Sequence, residues 1–254
     1  MISDGFADRL RLDGTPLIGT LVSMDGRDSV DVLCRCGFDW LFLDLEHSSL
    51  SIGDAKAMLQ VVGDRIPVLA RVAANTPTDI HAALDIGCDG VIVPLVNSNA
   101  DAKAAVKASK YPPDGARSVG IGRAHGYGSK FNEYLARANR ETALIVQIEH
   151  REAVDNLGEI LCVKGIDAVF IGPYDLSGSM GLLGQVTHEA VRAAIRQIRS
   201  QCDALGMPHG SFGMTASACE EAVRHGAKFV VVGTDAMHLY NGAKAQLNVL
   251  RGDR

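Results

Sequence analysis

Short apolar runs recur along the chain at a regular pitch, each bounded by Gly, Pro, Asp or Asn. They are LIGTLVS (17–23), WLFLDLE (40–46), PVLARV (67–72), GVIVPLV (90–96), LIVQIE (144–149), AVFIGP (168–173), PHGSFG (208–213) and FVVVGT (229–234). Between them lie stretches such as DAKAMLQVV, DIHAALDIG, ADAKAAVKAS, HEAVRAAIRQIRSQCDAL and ASACEEAVRHG, in which good helix formers carry apolar residues at helical spacing. Six helix-to-strand links contain Gly: CGFDW, VGDRIPV, IGCDGV, VKGIDAV, LGMPHG and HGAKFV. Gly just past a helix suits a left-handed cap. This array predicts an α/β fold, with eight strands pointing to a (β/α)8 barrel before an open doubly wound sheet. No GxGxxG follows the first strand, as a dinucleotide-binding open sheet would require. A length of 254 residues suits one barrel domain over 1–254.

One segment breaks the pitch. YPPDGARSVGIGRAHGYGSKFNEYLARAN (111–139) is too long for a simple helix-to-strand link. Its glycines at 120, 122, 126 and 128 suit an anion cradle or a loop that contacts a neighbouring subunit, and no strand precedes them as in a nucleotide motif.

In a parallel barrel the chemistry lies outside the C-terminal ends of the strands, so polar residues there carry the functional signal. LIVQIE ends in Gln147 and Glu149, and AVFIGPYD delivers Asp175 just beyond its strand. Two adjacent strands presenting one carboxylate each make half a site for a hard divalent cation, although Asp175 could equally cap the helix that follows. In WLFLDLEH, alternation places Phe42, Asp44 and Glu46 on one face, with His47 at the loop mouth. Acids inside an apolar strand need a cation or a partner, and Arg71, near the end of PVLARV, is the available partner. The fork of Arg71 also matches a substrate carboxylate. Backbone N–H groups of Tyr174 and Asp175, opening a helix, could bind that carboxylate as well.

Absences narrow the chemistry. Lys164 and Lys228 precede strands, and Lys56, Lys103, Lys107 and Lys244 fall on helices, so none is placed for imine formation. There is no GxSxG elbow and no phosphate-binding P-loop. An arginine, a carboxylate-bound metal and a nearby histidine are left, a set suited to an oxo-acid. The net charge of −5 offers no basic footprint for nucleic acid or an anionic membrane. Acids in MISDGFADRLRLDG argue against a signal peptide, and no apolar run reaches spanning length. Six scattered cysteines without a CxxC pair suit reduced thiols in a cytoplasmic protein.

GFDWLFLDLEH, PVLARV, LDIGCDGVIVPLV, YPPDGARSVG, VQIEHREAVDNL and GIDAVFIGPYDLSGSMG, taken in order, resemble the metal-dependent (class II) pyruvate aldolases of the HpcH/HpaI type. The resemblance covers essentially the whole chain. It implies a (β/α)8 barrel whose C-terminal helix is exchanged between subunits, in a homo-oligomer that is usually a hexamer. It places metal ligands on Glu149 and Asp175 with Gln147 nearby, the substrate arginine on Arg71 and the general base on His47. It also places that histidine's acidic partner on Asp85, and an aspartate that helps hold metal-bound water on Asp44. Mg²⁺ or Mn²⁺ suits the oxygen ligands, and Co²⁺ would fit. The implied reaction is reversible cleavage of a 4-hydroxy-2-oxo acid to pyruvate, or a close analogue, and an aldehyde, through an enolate held by the metal. Oxaloacetate decarboxylation, a citrate-forming condensation, or oxo-acid binding without turnover are the alternatives. DLEHSSLS stands where familiar members read DGEHAPN, and SFGMT replaces a different loop; both flank the mouth and bear on the aldehyde. Asp85 lies near the end of its helix, on the side of a barrel away from His47, so its pairing with His47 would have to cross a subunit interface.

Overall fold

A computed structural model describes residues 5–12 and 14–252; the remaining residues of the expected domain, 1–4, 13 and 253–254, lie outside it. Eight strands close into a barrel in chain order, every pair parallel: β1 (Leu17–Val22), β2 (Trp40–Asp44), β3 (Val68–Arg71), β4 (Gly90–Val93), β5 (Ala143–Ile148), β6 (Ala168–Ile171), β7 (His209–Gly213) and β8 (Phe229–Thr234), which returns to β1. Parallel neighbours require crossovers, and helices supply them. The six link glycines at 37, 63, 87, 165, 206 and 226 all have positive φ, as caps that end each helix and turn the chain back.

Alternation along the strands sorts the apolar residues into two cores. Trp40, Phe42, Leu69, Ile92, Ile145, Phe170 and Phe229 fill the barrel. Leu41, Leu43, Ala70, Val91, Val146 and Val169 face outward against the helices. Aromatic rings dominate the interior: Trp40–Phe42, Phe42–Phe170 and Phe170–Phe229 stand 6.1, 5.6 and 6.1 Å apart. Small residues make room for them; a Cβ on Gly19 would lie 2.5 Å from the Trp40 ring, and one on Gly210 2.5 Å from the Phe229 ring. The Phe6–Arg11 helix closes the N-terminal end, with Phe6 5.1 Å from Trp40.

The 111–139 segment folds against the same N-terminal end as an irregular stretch through Gly122, a 3-10 turn (Arg123–Gly128) and a helix (Phe131–Glu141). Arg123 donates to the carbonyls of Leu59, Ile86 and Gly87, where two helices finish. Arg117 is buried between the Tyr111 and Tyr134 rings, 4.6 and 5.8 Å away.

Among the described residues, the hydrogen bonds that pin the C-terminal helix, Asp235–Arg251, lie at its start. The Asp235 carboxylate accepts from the N–H groups of Ser23 and Met24, and His238 Nε2 lies 2.9 Å from Thr20 Oγ1. Beyond that, Leu239, Tyr240, Val249 and Leu250 are exposed. The outer face of β8 and β1, where an eighth helix would lie, instead carries an apolar groove of about 730 Å³ walled by Leu12, Leu17, Ile18, Val223 and Val230. Among the described residues no helix is long and apolar enough to cross a membrane, and all six cysteines are free.

Candidate active site

Asp44 and Arg71 end neighbouring strands and are in register across the pair. Arg71 Nε donates to Asp44 Oδ1 at 3.0 Å and Nη2 to Oδ2 at 2.7 Å, a bidentate fork in a buried setting. The guanidinium rests over the Phe42 ring at 5.5 Å. Asp44 Oδ1 also accepts the N–H groups of Glu46 and His47, both at 3.1 Å, which folds the chain back as it leaves the strand. That turn holds His47 exposed at the mouth. Glu46 lies beyond β2, not within it as the alternation suggests, yet the turn returns its carboxylate to the same arginine, with Oε2 3.2 Å from Arg71 Nε. The same oxygen is 3.7 Å from His47 Nε2 and is buried with no hydrogen-bond partner among the described residues.

Across the mouth, Gln147 closes the inward face of β5 and Glu149 follows it. β4 stops at Val93 instead of running to Val96, because Pro94 cannot continue the ladder and Leu95 takes a positive φ of 53°. That turn aims the Leu95 N–H at Glu149 Oε1, 2.9 Å away, while Gln147 Nε2 donates to Oε2. Nothing in the sequence alone marks the Leu95 N–H as part of the site; Pro94 inside an apolar run is the one available signal. Asp175 sits in the first turn of the Pro173–Ser179 helix, exposed. Gly172 lets β6 pass close beside Glu149; a Cβ there would lie 2.8 Å from Glu149 Cβ and 3.2 Å from Oε2. Tyr174 stands at the rim with its ring 6.4 Å from Phe212.

Asp85 is not brought to this mouth. It ends the Pro77–Asp85 helix at the opposite end of the barrel, where its Oδ1 takes a 2.6 Å bond from Arg117.

Asp44, Glu46, Glu149 and Asp175 outnumber the single guanidinium of Arg71. Burial pushes Glu149 up from the ordinary carboxylate range; the hydrogen bonds from Gln147 and Leu95 oppose this and the charge of Asp175 adds to it. Burial likewise raises Glu46 against the pull of Arg71. Burial would raise Asp44 too, but the hydrogen bonds and charge of Arg71, with the two backbone donors, hold it below its usual value. Surplus negative charge, a sealed Gln147 Oε1 without a donor and a sealed Glu46 Oε2 with no hydrogen bond beyond its ion pair to Arg71 suit an added cation and the oxygens it would bring. The described residues hold no cluster of three or more His, Cys, Asp or Glu poised for a metal, and the expected ligands Glu149 and Asp175 would supply two carboxylates. Such a set fits Mg²⁺ or Mn²⁺, which keeps water and substrate oxygens in its remaining positions.

Comparison with known proteins gives this mouth relatives. The sequence profile described as HpcH/HpaI aldolase/citrate lyase matches residues 18–242. A 4-hydroxy-2-oxo-heptane-1,7-dioate aldolase of Salmonella arizonae is 38% identical over 249 residues, 96% of this chain and 93% of the relative. Among solved structures, an HpcH/HpaI aldolase/citrate lyase family protein from Burkholderia cenocepacia J2315 superposes with a TM-score of 0.92 at 30% identity, covering 96% of this chain and 98% of its own. The citrate synthase SbnG follows at 0.87 and 25%, covering 98% and 99%. With a closed eight-stranded barrel, a profile match over most of its length and a near full-length relative, the chain belongs to the HpcH/HpaI aldolase/citrate lyase family.

Proposed function

We propose that this chain is a metal-dependent carbon–carbon lyase that reversibly cleaves a 4-hydroxy-2-oxo acid to pyruvate, or a close analogue, and an aldehyde. The observation that carries this is the convergence, at one barrel mouth, of the Arg71 fork with the Glu149 and Asp175 carboxylates. Glu149 and Asp175 would hold Mg²⁺ or Mn²⁺, with Co²⁺ also fitting the donors, and Gln147 beside them. Bound there, the cation would supply Lewis-acid polarisation of the substrate's keto oxygen.

The chain's own residues account for the remaining steps. Asp44 fixes Arg71 through Nε and Nη2, leaving Nη1 without a partner among the described residues and available to the oxo-acid. In cleavage, His47 takes the proton of the C4 hydroxyl, directly or through one water. The C4–O bond becomes a carbonyl, and the C3–C4 electron pair moves onto the pyruvate half, toward the charge of Arg71. In the synthetic direction His47 returns the proton. Tyr174, at the rim beside Asp175, and the backbone that opens its helix contribute to substrate binding.

The same proposal extends to assembly: a cytoplasmic homo-oligomer, a hexamer by family resemblance, whose C-terminal helices are exchanged. An apolar helix face without cover and an apolar groove without a helix on the same chain support that exchange. Asp85 would serve His47 of a neighbouring subunit, since Arg117 holds one of its oxygens and the other has no partner among the described residues. Mixing His47→Ala and Asp85→Ala proteins, each impaired alone, should restore activity in mixed oligomers; no recovery in verified mixtures refutes the shared site.

The deciding experiment for the reaction is an aldehyde panel with pyruvate and Mg²⁺, Mn²⁺ or Co²⁺, read as carbon–carbon bond formation beside an assay for CO₂ release from oxaloacetate. Metal-dependent aldol products that exceed decarboxylation support the lyase. Decarboxylation or citrate formation alone assigns the same site to those reactions, and binding without turnover leaves only an oxo-acid receptor.

A further inference from the structure

Behind the Tyr174–Phe212 wall lies a second cavity, of about 370 Å³, between the Glu189–Ala204 helix, the end of β7 and the Ala216–Arg224 helix. Arg192, Arg196 and Arg199 all line it. Their spacing of four and three residues puts them on one helical face. His225 adds a ring whose Nδ1 lies 2.7 Å from the Glu221 carbonyl, leaving Nε2 uncommitted. Glu221 is the acid of the lining, and Arg196 is engaged by Glu189, 2.5 Å away. Arg192 and Arg199 make no hydrogen bond or ion pair among the described residues, and the Nε of Arg199 is sealed from solvent without a partner.

A shut-in guanidinium donor is costly unless something accepts from it. Burial lowers the pKa of Arg199, and the nearby charges of Glu221 and Asp203 offset this only in part. Among the described residues nothing accepts from Arg199 Nε, and three planar forks, one of them held by Glu189, line a space of small-ligand size. Phosphate, with several acceptor oxygens and up to two charges, matches such a group better than a single carboxylate does.

We infer that this cavity is a phosphate site, filled either by free phosphate-class oxyanions or by a phosphate carried on the aldehyde half of the substrate. The second source rests on the proposed lyase reaction; the site itself does not. Because Tyr174 and Phe212 wall both the cavity and the mouth, an occupant bears directly on the aldehyde side of the active site.

The test is thermal unfolding of the full chain with inorganic phosphate, under chelation so that no active-site metal contributes, against chloride at matched ionic strength. At ten times its Kd, phosphate should raise Tm by about 3–6 °C beyond the chloride control. Arg192→Gln and Arg199→Gln should each weaken phosphate binding at least about tenfold, the loss typical of one charge-assisted bond, while Arg35→Gln on a distant helix leaves it unchanged. Should Arg199→Gln fail to fold by circular dichroism, the exposed Arg192 variant decides alone. If the two variants raise KM only for a phosphorylated aldehyde, and not for its neutral analogue, the phosphate arrives on the substrate. Unchanged KM for both, with phosphate binding lost, assigns a free oxyanion. No phosphate shift beyond chloride, or an equal shift in the variants, overturns the site without touching the lyase assignment, because the unfolding measurement does not depend on turnover.

Discussion

Gly172→Ala tests the proposed cation site by geometry alone, leaving every charge in place. The backbone at Gly172 has φ −96° and ψ 86°, which an L-residue can adopt, so the new methyl rather than backbone strain would carry the effect. Its Cβ would lie 2.8 Å from Glu149 Cβ, against an ordinary carbon–carbon contact of about 3.5–4.0 Å. The shortfall is about 0.7–1.2 Å by that measure, and Glu149 has little room to absorb it. Gln147 and Leu95 hold its two oxygens from opposite sides, and its side chain is buried. Overpacking of this kind costs about 1–3 kcal/mol of stability, leaving a folded protein. A ligand displaced by about 1 Å costs roughly 100-fold in rate, or about 2.7 kcal/mol of barrier. The assay is steady-state aldol cleavage over a Mg²⁺ or Mn²⁺ titration, with Mn²⁺ affinity read separately by electron paramagnetic resonance. Both the metal concentration for half-activity and kcat/KM should suffer. A folded Gly172→Ala protein with wild-type kinetics and wild-type Mn²⁺ affinity refutes the placement of the cation at Glu149.

Three further perturbations probe the rest. Arg71→Lys keeps the charge but cannot hold Asp44 and the substrate together; kcat/KM should fall by about 10²–10³, and near-normal kinetics would remove its role. Glu149→Gln and Asp175→Asn should each abolish metal-dependent turnover in a folded protein, with calorimetric Mn²⁺ titration confirming lost affinity; wild-type activity that survives exhaustive chelation contradicts this. His209 is buried on β7 with Asp203 Oδ1 3.6 Å from its Nε2, and burial lowers its pKa despite that acid. Its stability contribution is therefore complete above the unfolded value of about 6.5 and is lost as pH falls through the folded value, at no more than about 1.4 kcal/mol per pH unit. Urea unfolding at pH 7.5 and pH 5 should show a smaller loss in His209→Leu than in the wild type, and equal losses exclude the histidine.

Periodicity made the barrel legible because most strands are apolar on both faces and six of the preceding helices end in a glycine of positive φ. The strand ends were legible for a related reason. An acid such as Asp44 or an arginine such as Arg71 is expensive in an apolar run, so its presence marks the reactive face before any coordinates exist. Groups without a side-chain signature were hidden. The Leu95 N–H that holds Glu149 depends on how Pro94 ends β4, and the close approach of Gly172 to Glu149 is a property of the fold that the run AVFIGP does not show. The arginines of the Glu189–Ala204 helix carried no signal either, since a sequence does not show that they line one cavity with the end of β7 and the Ala216–Arg224 helix.

In the proposed assembly, Asp85 would be the point at which one chain depends on its neighbour. Its helix runs from the mouth to the far end, and the 111–139 segment meets it there, with Arg117 stacked between two tyrosines and one Asp85 oxygen bound at 2.6 Å. Burying a guanidinium to fix an acid is costly and adds nothing to the chemistry of its own barrel, whose mouth lies at the opposite end. The C-terminal helix poses the same problem at the side of the barrel, where an apolar face and an apolar groove on one chain do not meet. Both features make physical sense in an assembly that brings the N-terminal end of one barrel, with its fixed carboxylate, to the mouth of the next. Arg117→Met should then act as a positioning change. It would leave the His47 and Arg71 geometry of its own subunit intact, yet lower kcat and shift the pH profile of the neighbour's histidine, and substrate KM would stay near its original value.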